Sequence, residues 1–300
     1  MREASPWGPR NPISSLHTHS HYCDGEGEIR EYIEAALVEG LGAFGASGHA
    51  PLPFPCDYAI PLTALDRYCT EVRRLAEVYA DRLPVYLGIE LDYLPGLSAF
   101  YEGELLRRDF DYLIASVHYV AGPGGTPWTY DESAERFLSE IHARYGGDAR
   151  PVVEDYYRRV CSMVDEVANW GVPAVVGHLD RIRLWNRDDR FFPTSGRWYE
   201  DLVETALAAI QRAGLPVELN TSGWAKPAGQ PNPDLPLLRR CAQYGIPVLL
   251  SSDAHRPRDV AARFDEGMRL LALAGIREIA VLSDRQWKLV PLSPRSAGPL

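Results

Sequence analysis

Residues 16–27 read LHTHSHYCDGEG, which places three of the chain's eight histidines at alternate positions with Asp24 close behind. Side chains on a strand alternate between faces, so this spacing would aim His17, His19 and His21 the same way. A polar strand edge accounts for one such pair. It does not account for the rest of the chain, where further short apolar segments end in a polar residue: His49, Glu90, His118, His178, Asn220, and then Asp253 with His255. Imidazoles and carboxylates without thiolate suit Zn, Mn or Fe(II), whereas sites built only of oxygen suit Mg or Ca. His17, His19, Asp24, His49, Glu90, His118, His178, Asp253 and His255 make nine plausible ligands. One ion takes at most about six, so the set implies at least two metals. A multinuclear centre both clamps a phosphate and generates hydroxide from water at neutral pH, which makes phosphoester hydrolysis the leading chemistry. His142 falls in a helical segment and is expected to be solvated.

Ligands so far apart in sequence need a scaffold that gathers strand ends. Seven segments read as strands: ISSLHTH, AFGASGH, PVYLGIELDY, DYLIASVHYV, PAVVGHLD, PVELNTSG and PVLLSSDAH. Between them lie segments of helical period, among them IREYIEAALVEGL, TALDRYCTEVRRLAEVYA, EDYYRRVCSMVDEVANW and YEDLVETALAAIQRAG. Strands alternating with helices predict a parallel sheet or barrel covered by helices. In a barrel the carboxyl ends of all strands share one face, where such folds build their active sites. The Gly/Pro-rich stretches near 121–128 and 223–236 read as surface loops and the tail SPRSAGPL as frayed.

Composition narrows the classes further. Three hundred residues, 46% of them hydrophobic, can bury one large core, and no boundary suggests a second domain. The first residues, MREASPWGPRNPISS, lack the apolar core of a signal peptide, and no run approaches the ~18–20 apolar residues of a membrane span, so a cytoplasmic protein without a membrane role is expected. The five cysteines are odd in number and form no C-x-x-C pair, so they are expected to be reduced and mostly buried. A net charge of −10 with no basic run argues against a nucleic-acid partner. Neither a G-x-S-x-G elbow nor a Walker A loop is present, and GPGGT at 122–126 reads as a turn.

The motifs LHTHSHYCDG, GHAP, GIELDYLPG, SVHYV, GHLD and SSDAH, in this order, resemble the polymerase-and-histidinol-phosphatase (PHP) family from about residue 15 to 275. GIELDY and FDYLIASVH look most like the monofunctional histidinol-phosphatases of histidine biosynthesis. The resemblance implies an α/β fold, a distorted (β/α)7 TIM-like barrel, as a single domain over residues 1–300 with its core at about 13–290. It implies three divalent ions, Zn, Fe or Mn. His17, His19 and Asp253 would hold the first, His118 and His178 the second with Glu90 bridging the two, and Asp24, His49 and His255 the third. His17, His19, Glu90, Asp253 and His255 would carry catalysis, in which metal-bound hydroxide attacks the phosphorus of L-histidinol phosphate. The partner is then a small phosphate monoester, and homo-oligomer formation is left open. Arg183, just past His178, is expected to grip the substrate phosphate, since a guanidinium can hold two of its oxygens.

Family members often carry an aspartate before the histidine of the second motif, where this chain has Ser47-Gly48-His49. An orienting role for that carboxylate is therefore vacant or reassigned. Alternatives to the leading reading are a PHP phosphoesterase acting on nucleotides or phosphodiesters, and a non-catalytic metal-binding protein. A carbamylated-lysine amidohydrolase is disfavoured, because the only lysines, Lys226 and Lys288, end no strand.

Overall fold

The computed structural model describes residues 12–121 and 125–292. The opening segment, part of the GPGGT turn and the SPRSAGPL tail lie outside them. Each of the seven segments forms a strand: β1 Ser14–Ser15, β2 Ala43–Ala46, β3 Val85–Asp92, β4 Tyr112–Ser116, β5 Ala174–Val176, β6 Val217–Asn220 and β7 Val248–Ser251. They form one sheet in sequence order, and every pairing is parallel. Thr18 and Ala254 bridge the first and last strands just beyond their ends, with His19 N–H donating to Ala254 O at 2.8 Å and Ala254 N–H to His17 O at 3.1 Å. The sheet thereby closes into a nearly complete seven-stranded α/β barrel, a single domain.

Helices α1 Ile29–Glu39, α2 Leu62–Tyr79, α3 Ala134–Tyr145, α4 Arg150–Val167, α5 Arg197–Ala213, α6 Leu235–Tyr244 and α7 Phe264–Ala274 connect the strands. Each turns an apolar stripe inward. Leu65, Tyr68, Val72, Leu75 and Tyr79 of α2, spaced by three and four residues, are all buried. Most of the core lies between this helical layer and the outer face of the strands. His142 on α3 is exposed, as its place on the outer face of a helix requires.

A second core fills the barrel itself. Leu16, Tyr112, Ile114, Val175 and Leu249 meet Ala280 and Leu282 there. The last two belong to a hairpin, Glu278–Ser283 with Gln286–Pro291, that the sequence pattern did not announce. The Tyr86 hydroxyl donates to Leu282 O at 3.1 Å and Trp287 Nε1–H to Ala174 O at 3.0 Å, so the hairpin covers the amino-terminal ends of the strands. The opposite end is left to the polar residues.

Three local expectations are corrected. Tyr119–Ala121 and Pro127–Thr129 pair as a short hairpin, so that stretch is not a plain loop. Within 223–236, Asn232 is buried and pairs with Asn220, exchanging backbone hydrogen bonds at 2.7 and 3.1 Å. All five cysteines are free, but only Cys241 is buried. No described helix is long and apolar enough to cross a membrane.

Candidate metal centre

The nine candidate ligands converge at the carboxyl end of the barrel. Glu90 lies at their centre, buried on β3. Its Oε2 faces His17 Nε2 at 3.0 Å, His49 Nδ1 at 3.2 Å and His19 Nε2 at 3.4 Å. Its Oε1 faces His178 Nε2 at 3.2 Å and His118 Nε2 at 3.7 Å. The two oxygens thus look into two different groups of imidazoles. Asp253 Oδ1 adds to the first group, 3.2 Å from His19 Nε2 and 3.6 Å from His17 Nε2. Asp24 and His255 form the outer edge, Oδ2 to Nε2 at 3.2 Å, and the His255 ring stacks on His19 at 4.2 Å.

Potential donor atoms fall within 4.8 Å of one another in four groups here: His17, His19 and Asp253; Glu90, His118 and His178; His19, Asp24, His49 and His255; and His49, Asp92 and His118. His21 departs from the alternation. The chain turns after Ser20, so His21 is exposed and its Nδ1 reaches Gly27 O at 3.3 Å and Glu28 at 3.5 Å.

Three buried groups that sequence reasoning missed hold members of this cluster, two of them imidazoles and one the Glu90 carboxylate. Glu218 Oε1 lies 2.6 Å from His17 Nδ1, which turns Nε2 toward Glu90, while Glu218 Oε2 accepts the His178 backbone N–H at 2.8 Å. Asp92 binds His118 Nδ1. Ser116 Oγ donates to Glu90 Oε1 at 2.7 Å. Asp92 and Glu218 stand two residues from Glu90 and Asn220, so the period of two puts them on the same strand face. That spacing is the signal that could have found them. Asn220, noted as a strand end, donates through Nδ2 to Asp253 Oδ2 at 3.1 Å.

The donor set fits divalent cations. His17 Nε2, His19 Nε2, His49 Nδ1 and Glu90 Oε2 are buried, close together and without hydrogen-bond partners. Each such atom costs about 1–3 kcal/mol if left so, and four at one point call for a shared ligand. Charge argues the same way, because Glu90, Asp92, Glu218 and Asp253 are all buried around the cluster and Arg181 is the guanidinium that faces it. Burial would raise the Glu90 carboxyl, but His17 and His49 hold it well below the usual range. Burial would lower His17, yet Glu218, Glu90 and Asp253 raise it well above an ordinary imidazole. Burial and the imidazoles of His255 and His49 bring His19 down to about 4.

At Gly48, where the aspartate is missing, a Cβ would lie 3.0 Å from both Cys23 Sγ and Ile60 Cδ1, a tight fit. His49 Nδ1 instead faces Glu90 at 3.2 Å and Asp92 at 3.7 Å.

A cavity of about 720 Å³ opens above the cluster. Arg181 lines it, with Nε donating to Asp131 Oδ2 at 3.3 Å, and its buried Nη1 has no hydrogen-bond partner and lies 3.7 Å from Asp253 Oδ2. Arg183 does not line it. Its Nη1 is taken by Asp234 at 2.5 Å and Asp180 at 3.1 Å, and its Nη2 by Gln230 at 3.3 Å. Arg183 borders two smaller hollows, whereas Arg181 lines the large cavity.

Comparison with known proteins agrees with this architecture. The "Probable histidinol-phosphatase" of Deinococcus radiodurans is 32% identical over 272 residues, covering 89% of this chain and 95% of that protein. The histidinol-phosphatase of Bacillus subtilis is 32% identical over 269 residues, covering 83% and 96%. Among solved structures, a Listeria monocytogenes protein described as a candidate histidinol phosphatase matches with a TM-score of 0.73 at 21% identity, over 84% of this chain and 99% of that one. The Lactococcus lactis histidinol phosphate phosphatase, solved with zinc, L-histidinol and phosphate, matches with a TM-score of 0.67 at 20% identity, over 92% and 99%. The model of the PHP domain matches residues 15–222, the span that carries seven of the nine candidate ligands, and the chain belongs to the PHP domain family.

Proposed function

We propose that this protein hydrolyses L-histidinol phosphate to L-histidinol and phosphate, using three divalent ions, Zn, Fe or Mn. The observation that carries the reading is Glu90, whose two oxygens each face a separate group of imidazoles, with unpartnered donor atoms converging between them. His17, His19 and Asp253 would hold one ion, His118 and His178 a second, and Asp24, His49 and His255 a third, with Glu90 shared by the first two. The names of the curated relatives and the ligands of the Lactococcus lactis protein support the substrate choice. The same reading places the reaction in histidine biosynthesis and in the cytoplasm.

Bound cations supply Lewis acidity toward a phosphoryl group and ease proton loss from water at neutral pH. The chain's own residues do the positioning. Arg181 Nη1 is free to donate to a phosphate oxygen, and Asp131 fixes the guanidinium plane from the other side. Glu218 and Asp92 fix the rings of His17 and His118, so their remaining nitrogens stay aimed at the centre. Glu90 and Asp253 present anionic oxygens at the floor, where cations are needed to offset the charge of an entering phosphate.

The test is a phosphate-release screen of the metal-replete protein over L-histidinol phosphate, nucleotides, sugar phosphates and a phosphodiester, paired with elemental analysis. The expected result is the highest kcat/KM for L-histidinol phosphate, more than one transition metal per chain, and loss of turnover on chelation. A higher kcat/KM for a nucleotide or phosphodiester would overturn the substrate assignment. At most one metal equivalent in a fully active preparation would overturn the multinuclear centre.

A further inference from the structure

One wall of the cavity has a chemistry that neither phosphate nor cations use. Pro55, Cys56, Asp57 and Tyr58, from the segment after His49, line it beside Tyr119 and Trp128. The segment is pinned to the barrel. Ile60 N–H donates to His49 O at 3.0 Å, and the Tyr58 hydroxyl lies 2.7 Å from Asp92 Oδ2 and 3.0 Å from the Tyr119 hydroxyl. The Tyr58 ring meets His49 edge-on at 4.9 Å, and Phe54 meets Tyr119 likewise at 5.9 Å. Aromatic rings therefore stand in fixed positions directly beside the charged floor.

Six carboxylates line the cavity, and five are accounted for. Asp24, Glu90 and Asp253 face imidazoles, Asp131 faces Arg181, and Glu132 faces Arg136. Among the described residues Asp57 has no ion-pair partner, and it is exposed. A free carboxylate in a cavity that must admit a phosphate works against the phosphate, so its presence there suits a positive charge elsewhere on the same substrate. The volume of about 720 Å³ leaves room for a sizeable organic group beyond the phosphate.

We propose that Asp57 pairs with an ammonium group of the substrate and that Tyr58 and Tyr119 flank its ring, so that this wall selects cationic, ring-bearing phosphate monoesters. The inference rests on the phosphatase reading above, because L-histidinol phosphate carries both an ammonium and an imidazole.

The test compares the metal-loaded parent with Asp57→Asn and Asp57→Glu on L-histidinol phosphate and on its deamino analogue, 3-(imidazol-4-yl)propyl phosphate. A charged hydrogen bond made on binding is worth enough that Asp57→Asn should cut the preference for the amino ester by about tenfold, chiefly through KM. Asp57→Glu should recover part of that preference. An unshifted preference in Asp57→Asn, with the parent active, would overturn this inference alone. A parent that cleaves 4-nitrophenyl phosphate but not L-histidinol phosphate would overturn the substrate reading, and this inference with it.

Discussion

On the proposed reading, Glu90 is the residue on which the centre depends most. An imidazole offers a free nitrogen to one ion, whereas the two oxygens of Glu90 face His17, His19 and His49 on one side and His118 and His178 on the other. Glu90→Gln keeps the shape and the Ser116 contact but replaces an anion with an amide that ligates poorly. The expected outcome is a folded protein with at least ~10³-fold lower kcat and reduced metal content, the scale of removing a major electrostatic contributor. Circular dichroism, elemental analysis and turnover on one preparation decide it; full metal content with near-normal turnover would exclude the shared-ligand role. The two arginines after His178 offer a paired test. Arg181→Ala should lower kcat/KM at least tenfold, about 1.4 kcal/mol, because its unpartnered Nη1 faces the cavity. Arg183→Ala should instead leave kcat/KM close to the parent and cost stability on the order of 3 kcal/mol, since it strands Asp180, buried beside Asp234. Burial already pushes the Asp180 carboxyl up to about 6, with Arg183 acting against that rise. Kinetics of both variants, with urea unfolding of Arg183→Ala, would reveal a reversed pattern.

At the scale of elements, one side chain of β4 packs inside the barrel against both β2 and β3. Tyr112 of β4 lies inside the barrel with its hydroxyl bonded to Leu16 O at 2.5 Å, and a Cβ added at Gly45 or Gly88 would come within 2.2 Å of it. The contact is with a rigid, fully buried ring, which cannot swing away. Gly88→Ala should therefore destabilise by about 1–3 kcal/mol, read as a lower urea midpoint at unchanged slope. An unchanged midpoint would mean that the ring is not held as described. The strands themselves were legible in the sequence because each is a short apolar run that ends in a polar residue at the barrel mouth. His49, Glu90, His118 and His178 declared themselves in this way. Asp92 and Glu218 did not, because neither is the polar residue that ends its run's apolar stretch, and only their two-residue spacing from Glu90 and Asn220 marks them as facing the barrel interior. The arginine pair failed for another reason. Residues 181–183 form a 3-10 turn, where a two-residue step rotates side chains by about 240°, so near neighbours in sequence face different cavities. His21, which is not among the nine candidates, lies off the strand face because the chain turns after Ser20. The C-terminal hairpin was missed because its strands follow the last βα unit and complete no further one.

For the molecule as a whole, the centre couples metal binding, pH and stability. Without cations, the buried carboxylates are offset by protons on the imidazoles, besides the Arg181 guanidinium beside Asp253. Burial works against those protons, but Glu218 and Glu90 at His17, and Glu90 and Asp92 at His49, outweigh it and raise both well above the usual value of 6.5. His118, beside Asp92, and His255, beside Asp24, are raised as well, again against burial. A histidine whose folded pKa is raised contributes stability that is fully present below its unfolded pKa and is lost as pH climbs through the folded value. His19 and His178 are lowered, chiefly by burial. Above pH 6.5 they are mostly uncharged in both states, so they add little slope. The metal-free protein should therefore lose stability steadily from about pH 6.5 to 9. Cations favour deprotonated imidazoles, so their binding strengthens over the same range, and ions at 100-fold above Kd add about 2.7 kcal/mol to the folded state. The gap in Tm between metal-loaded and chelator-treated protein should thus widen with rising pH. Thermal unfolding of both forms at pH 6.5, 7.5 and 9 measures it, and a constant gap, or a metal-free protein that grows more stable above pH 6.5, would show that protons do not stand in for the cations at this centre.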